Sequence, residues 1–269
     1  MRRLLIAIPL TLLTLLPLVA TASETSEAYF YPFVEQFNWR EFDKGKRLLE
    51  ESGYRFGLGF AAQGLGGQYS ESGLAFKVNF NILAGGVDYD GQTQTGLPAK
   101  TDVTYIGTRL EGDLGWRFGD RQSSIEPFIG LGNRWWARYL HDTTTHDTGG
   151  NPVAVEGYTE YWQTVYTRLG GRLSFRLDDQ SRLFFEGGAR YPFYTANNVD
   201  FNNGGWTTVH PKGSWSPFAE AGFRIGAFRP SISYEEQHFR KSDAVGMFGV
   251  YQPESKEQIV SLNLGFAFR

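Results

Sequence analysis

The sequence predicts an all-β fold, a transmembrane antiparallel up-and-down β-barrel of about ten strands. Three observations carry this. Apolar side chains recur at every second residue through most of the chain, the period of a strand with one apolar face. The opposite faces mix glycine with charges of both signs, which suits a closed lumen. The links alternate between short turns and long polar loops, the rhythm of a membrane barrel. A water-soluble sandwich is the alternative, but it would hold its charged faces outward and need not sort its loops by length.

The 269 residues begin Met1-Arg2-Arg3, run apolar from Leu4 to Val19, and reach Ala20-Thr21-Ala22. A basic start, a short apolar middle and an Ala-x-Ala end predict a secretory signal peptide over residues 1–22, cleaved after Ala22. The run is short for a helix of roughly 20 residues, and Pro9 and Pro17 interrupt it. A polar leader, residues 23–28, then precedes a single barrel domain over 29–269. Loss of Arg2 and Arg3 leaves 24 basic against 29 acidic side chains, a net charge of −5. That balance, with no basic tail, argues against a nucleic-acid partner. There is no cysteine, so the exported chain must be held by its core or by closure of its sheet.

The strands follow in order. On the first, Tyr31, Phe33, Phe37 and Trp39 alternate with Val34, Gln36, Asn38 and Arg40. Asp43 to Ser52 is charged and reads as a loop or helical turn. Tyr54, Phe56, Leu58 and Phe60 then oppose Arg55, Gly57, Gly59 and Ala61. After a polar link at 64–72, Leu74, Phe76, Val78, Phe80 and Ile82 form one face, and Lys77, Asn79 and Asn81 lie on the other. Beyond a loop at 91–101, Ile106, Leu110, Leu114 and Trp116 oppose Arg109, Glu111, Asp113 and Arg117. The fifth strand sets Ile125, Ile129, Leu131, Trp135 and Tyr139 against Glu126, Arg134 and Arg138. A long loop at 141–157 leads to Val165, Leu169 and Leu173, which alternate with Arg168, Arg172 and Arg176. After a tight turn at 178–181, Leu183 and Phe185 alternate with Arg182, Glu186 and Arg190. A second long loop, 196–213, precedes Phe223 and Ile225 opposite Glu220 and Arg224. A turn at 227–230 leads to Ile232 and Tyr234, and a loop at 244–256 leads to the last strand. There Val260, Leu262, Leu264, Phe266 and Phe268 share one face.

An even strand count places both termini on one side, with the short turns, and sends the long loops to the other. Trp and Tyr near strand ends fit an interfacial girdle. Of the adjacent pair Trp135-Trp136, the first faces outward and the second fills the lumen. Ten strands are too few for a wide aqueous pore.

Two resemblances add to this reading. The closing aromatic strand resembles that of Gram-negative outer-membrane barrels, where it is the assembly signal. This implies outer-membrane lipid and the barrel assembly machinery as partners, for a monomer at the cell outer membrane. The third strand ends Gly85-Gly86-Val87-Asp88-Tyr89-Asp90-Gly91. With the ten-strand layout, this Asp-x-Asp resembles the omptin proteases, which cleave peptides at basic residues in an acidic groove at the barrel mouth. The resemblance implies one catalytic pair on Asp88 and Asp90 and a second on Asp200 and position 202. Position 202 is Asn202 where omptins have histidine, and the nearest rim histidine is His210.

From the residues alone, Asp88 and Asp90 lie two apart on one side of a strand and could hold a water or cation, or form a strand end entering an Asp-Gly turn. His141-Asp142 and His146-Asp147 read as solvated loop residues, and His238 as structural or rim-facing. The sequence gives no cofactor or metal motif. Three functions follow: a non-enzymatic barrel with a structural role or an unknown ligand on its extracellular loops; an omptin-like hydrolase using Asp88, Asp90, Asp200 and His210; and a narrow channel.

Overall fold

The computed structural model describes residues 26–66, 72–93, 95–200, 205–247 and 249–268. The segment read as a signal peptide lies outside the described residues. The strands are β1 (Glu27–Asp43), β2 (Lys46–Leu65), β3 (Gly73–Gln92), β4 (Pro98–Gly119) and β5 (Ser123–Leu140). A small hairpin, β6 (Thr143–His146) and β7 (Pro152–Val155), follows. Then come β8 (Thr159–Arg176), β9 (Ser181–Asp200), β10 (Trp206–Val209), β11 (Lys212–Ser214), β12 (Ser216–Ile225), β13 (Phe228–Arg240) and β14 (Glu254–Phe268). Each wall strand pairs antiparallel with its neighbours. β1 lies between β2 and β14, and β8 pairs with β9, so the ladder closes into a ten-stranded barrel with β10 and β11 continuing the line of β12. Closure leaves no sheet edge, so a chain without disulfides satisfies its wall backbone internally.

Both described ends of the chain lie at one end of the barrel, where Ala28 pairs with Phe268. This is the terminal end, and it carries the short turns at 120–122, 177–180 and 226–227. The opposite, loop end carries the β6–β7 hairpin and the segment 241–253. Phe56, Leu58, Leu114, Ile129, Leu264 and Phe266 are exposed on the outer wall, the reverse of a water-soluble protein. They form a belt. Strands of up to 22 residues exceed the ~9–11 that cross a bilayer. The excess projects from the belt at the loop end, where the outward side chains become Arg40, Glu50, Asp88, Lys100 and Asp102.

This projection explains two corrections to the sequence reading. The charged stretch Asp43–Ser52 is a hairpin turning on Lys44 and Gly45, both at positive φ. Arg40 and Glu50 face each other across it at 3.0 Å, so charge here marks strand above the belt and not loop. For the same reason the loop expected at 91–101 shrinks to residues 93–97, and β9 runs to Asp200 into what reads as loop. The loop expected at 141–157 contains the β6–β7 hairpin. Its turn is fastened by Asp147, which accepts the N–H groups of Gly149 and Asn151 at 2.8 Å each.

The first strand is turned over relative to its neighbours. Its aromatic stripe, Tyr29, Tyr31, Phe33, Phe37 and Trp39, is buried in the lumen, whereas Phe30 faces outward. The reason lies on β2. Phe33 pairs with Gly57 and Tyr31 with Gly59. A Cβ at Gly57 would sit 2.2 Å from the Phe33 ring, and one at Gly59 would sit 2.1 Å from the Tyr31 ring. The inward glycines of β2 are the space the inward rings of β1 occupy. Glu35, on the same face, confirms the direction by meeting buried Arg55 across the pair at 2.6 Å.

Candidate functional site: the barrel lumen

At the loop end the lumen is filled with rings. Trp136 stacks on Trp162 at 5.3 Å, Trp39 meets Trp162 edge-on at 5.3 Å, and Phe239 closes the group 5.7 Å from Trp162. The indole N–H groups are satisfied locally: Trp39 donates to Glu41 at 3.0 Å and Trp162 to Glu160 at 2.8 Å. Beside the plug, on the loop-end side of Trp136 and Trp162, Arg138 bridges Glu51 and Glu160, and the Tyr105 hydroxyl donates to Glu51. Arg134 donates to Glu257 at 2.6 Å, and Arg55 lies 3.7 Å over the Phe37 ring. These charges are almost fully buried. Burying them is costly unless each is paired; here each has an ionic partner except Glu41, which is held by the Trp39 indole and the Gln252 amide.

The network continues down the barrel. Glu111 accepts from Arg168 and Arg190, Glu235 from Arg109 and Arg190, and Glu186 from Lys77, Arg168 and Arg172. Mid-lumen this leaves a cavity of about 50 Å³, room for a few waters at most. At the terminal end the lumen widens into a vestibule of about 780 Å³. The interior is therefore a blind vestibule, an ionic middle and an aromatic plug.

The residues singled out from the sequence as catalytic candidates are elsewhere. Asp88 and Asp90 lie on the outward face of β3, above the belt, while Val87 and Tyr89 fill the lumen at that height. Asp90 pairs with Lys100 at 3.1 Å, both well exposed, and Asp88 stands opposite Asp102 in the ladder. Parity in the sequence carried this signal, since Asp88 and Asp90 share their face with Leu74, Phe80 and Ile82. Asp200 ends β9, paired with Thr159 and Trp206. β4, β5 and β8 separate it from β3. His210 Nδ1–H donates to the Thr195 carbonyl at 2.9 Å. Four residues beyond Trp206, it lies roughly 13 Å along the ladder from the Asp200 rung. The four side chains do not converge.

The other histidines are also on the rim. His141 contacts Thr104 Oγ1 at 2.9 Å and His238 contacts Glu254 at 3.0 Å. Trp135 packs on Tyr161 on the outer wall while Trp136 enters the plug, as their parity requires. The inward charges of β4, β5, β8 and β9 were legible from alternation. Glu35, Glu41 and Glu51 were not, because they sit beside aromatics on β1 or inside the run read as loop.

Closed ladder, outward apolar belt and polar filled lumen together define an all-β transmembrane barrel of the outer-membrane type. Comparison with solved structures agrees at the level of the fold. The outer-membrane protease OmpT of Escherichia coli is similar with a TM-score of 0.54 and 10% identity, over 92% of this chain and 98% of that one. The translocator domain of autotransporter NalP from Neisseria meningitidis aligns with a TM-score of 0.44 and 10% identity, over 96% of this chain and 94% of that one. No protein-family model matches the chain, and no curated protein sequence does either.

Proposed function

We propose that this protein is an integral outer-membrane barrel that acts without catalysis, as a rigid membrane scaffold presenting its loop end to the cell exterior for structural contact or ligand binding. The filled lumen carries this reading: a plug of Trp39, Trp136, Trp162 and Phe239 over a paired ionic middle serves no conduction path. The orientation puts the short turns and chain termini in the periplasm. Export through the N-terminal apolar segment, insertion by the barrel assembly machinery and a monomeric state in outer-membrane lipid belong to the same proposal.

A second reading, a surface hydrolase, is favoured by the fold likeness to a protease. It would use Asp88, Asp90, Asp200 and His210. One experiment separates the two. Folded protein and an Asp88→Ala variant are assayed side by side for cleavage of a peptide library containing basic residues, and both are incorporated into planar bilayers. The scaffold reading expects no cleavage and no conductance from either. Cleavage by the parent that is lost in the variant overturns it in favour of the hydrolase, and steady conductance overturns it in favour of a channel.

A further inference from the structure

The vestibule at the terminal end holds a feature that its own pairing does not explain. Arg176 on β8 stands directly opposite Arg182 on β9, and Arg182 stands directly opposite Arg224 on β12. Three guanidinium side chains thus lie in one cross-strand row on three adjacent strands, and all three line the cavity of about 780 Å³. Like charges placed directly opposite on a sheet repel and destabilise it. A row of three therefore calls for negative charge in front of it.

The described residues supply too little. Arg176 has Asp179, a turn carboxylate that is 97% exposed. Arg224 has Glu27 at 3.1 Å, but Glu27 is shared with Arg229 at 3.8 Å, a further cation facing the cavity. Arg182, at the centre, donates to two neutral oxygens, Ser174 Oγ at 3.1 Å and the Arg121 carbonyl at 3.3 Å. Asp178 is occupied as the turn's own cap, accepting the N–H groups of Gln180 and Ser181. Deeper in the vestibule the balance closes, with Arg117 on Glu126 and Lys77 on Glu186. The excess of positive charge is confined to the mouth.

We propose that this row is a binding site for a small, multiply charged phosphate-type oxyanion that enters the vestibule from its open terminal end. The forked, permanently charged donors of arginine match phosphate oxygens in pairs, and several converging on one cavity favour a polyanion over a monoanion. The site is independent of the scaffold reading, since it lies at the opposite end of the barrel and asks nothing of the loops.

The probe is inorganic pyrophosphate, titrated calorimetrically into the folded, detergent-solubilised barrel at an ionic strength fixed with chloride. The expected result is saturable binding at one site, weakened about tenfold or more in Arg182→Gln, as loss of hydrogen bonds to a charged group requires. The same variant without pyrophosphate is expected to unfold at an equal or higher urea concentration than the parent, because it relieves the repulsion in the row. A guanidinium with a purely structural role would move that midpoint down. Absence of saturable binding, equal binding by parent and Arg182→Gln, or binding that chloride matches would each overturn the proposal, as would a variant less stable than its parent.

Discussion

The two ends of the lumen are built by the same alternation and end up opposite in character. At the loop end the inward positions are rings and closely hydrogen-bonded charges, and little space is left. At the terminal end they are long arginines and serines around a vestibule of about 780 Å³, with a surplus of positive charge. The difference begins with the partners across the ladder. At the loop end Trp136 stands opposite Trp162, whereas the arginines near the terminal turns have other arginines opposite them and line an open vestibule. Alternation decides which side chains point inward. What those side chains meet there decides whether the interior is solid or hollow.

The largest expected effect comes from breaking a matched charge in the solid half. Glu257→Ala strands buried Arg134 and removes the second carboxylate near Arg55. It should cost roughly 3–5 kcal/mol in urea unfolding of the reconstituted barrel. The corresponding break in the hollow half, Arg117→Ala, leaves Glu126 its bond to Arg172 at 2.7 Å and opens toward water. It should cost about 1 kcal/mol or less. Equal losses for the two variants would erase the contrast between the ends.

A smaller effect tests how β1 and β2 fit together in the lumen nearer the terminal end. Gly59→Leu places a side chain where the Tyr31 ring lies and should cost about 1–3 kcal/mol through overpacking. The companion Gly86→Leu, at an outward position with open space around its Cβ, should leave the unfolding midpoint close to the parent. A midpoint for Gly59→Leu equal to the parent's would mean that β1 does not hold its rings inward.

The smallest effect belongs to the terminal turns. Backbone N–H groups of Gln180 and Ser181 hold the Asp178 carboxyl below its usual range. A lowered folded pKa contributes stability above the unfolded value, near pH 4, that is lost as pH falls through the folded value. The difference in urea midpoint between parent and Asp178→Asn should therefore be greatest near neutral pH and shrink below about pH 4. A difference that stays constant with pH would remove the carboxylate from the turn's stability.

How much of this was legible follows from where two signals agree. On β3, β4 and β14 the apolar face is aliphatic or aromatic and the other face polar, so period and direction could both be read. On β1 the period was plain but the direction was not. Aromatics serve equally at a lipid face and in a lumen, and the glycines that settle the matter lie on the next strand, visible only through register. Charge misled in Asp43–Ser52, because strand that rises above the membrane belt is as polar as a loop. The Asp88–Asp90 pair was legible as outward by parity alone. Nothing local could show that Asp200 and His210 lie on separate rungs, since this depends on how β10 folds back on β9. Arg176 and Arg182 flank a short turn, so their opposition could have been anticipated, but Arg224 joins them only through the β9–β12 ladder.

The line of β12 has one more consequence. Between the Ser216–Arg190 rung and the Val209–Asn197 rung, residues 210–215 and 191–196 run side by side with no ladder pairs. Pro192 and Pro211, in this stretch, have no N–H to give. A closed barrel is a hoop, and a hoop under outward load yields at its least-bonded joint while the rest keeps its shape. Changes in lateral pressure from the surrounding lipid would thus be taken up at this joint, and Phe239, which stands opposite Gly213, would carry the movement into the ring-filled plug.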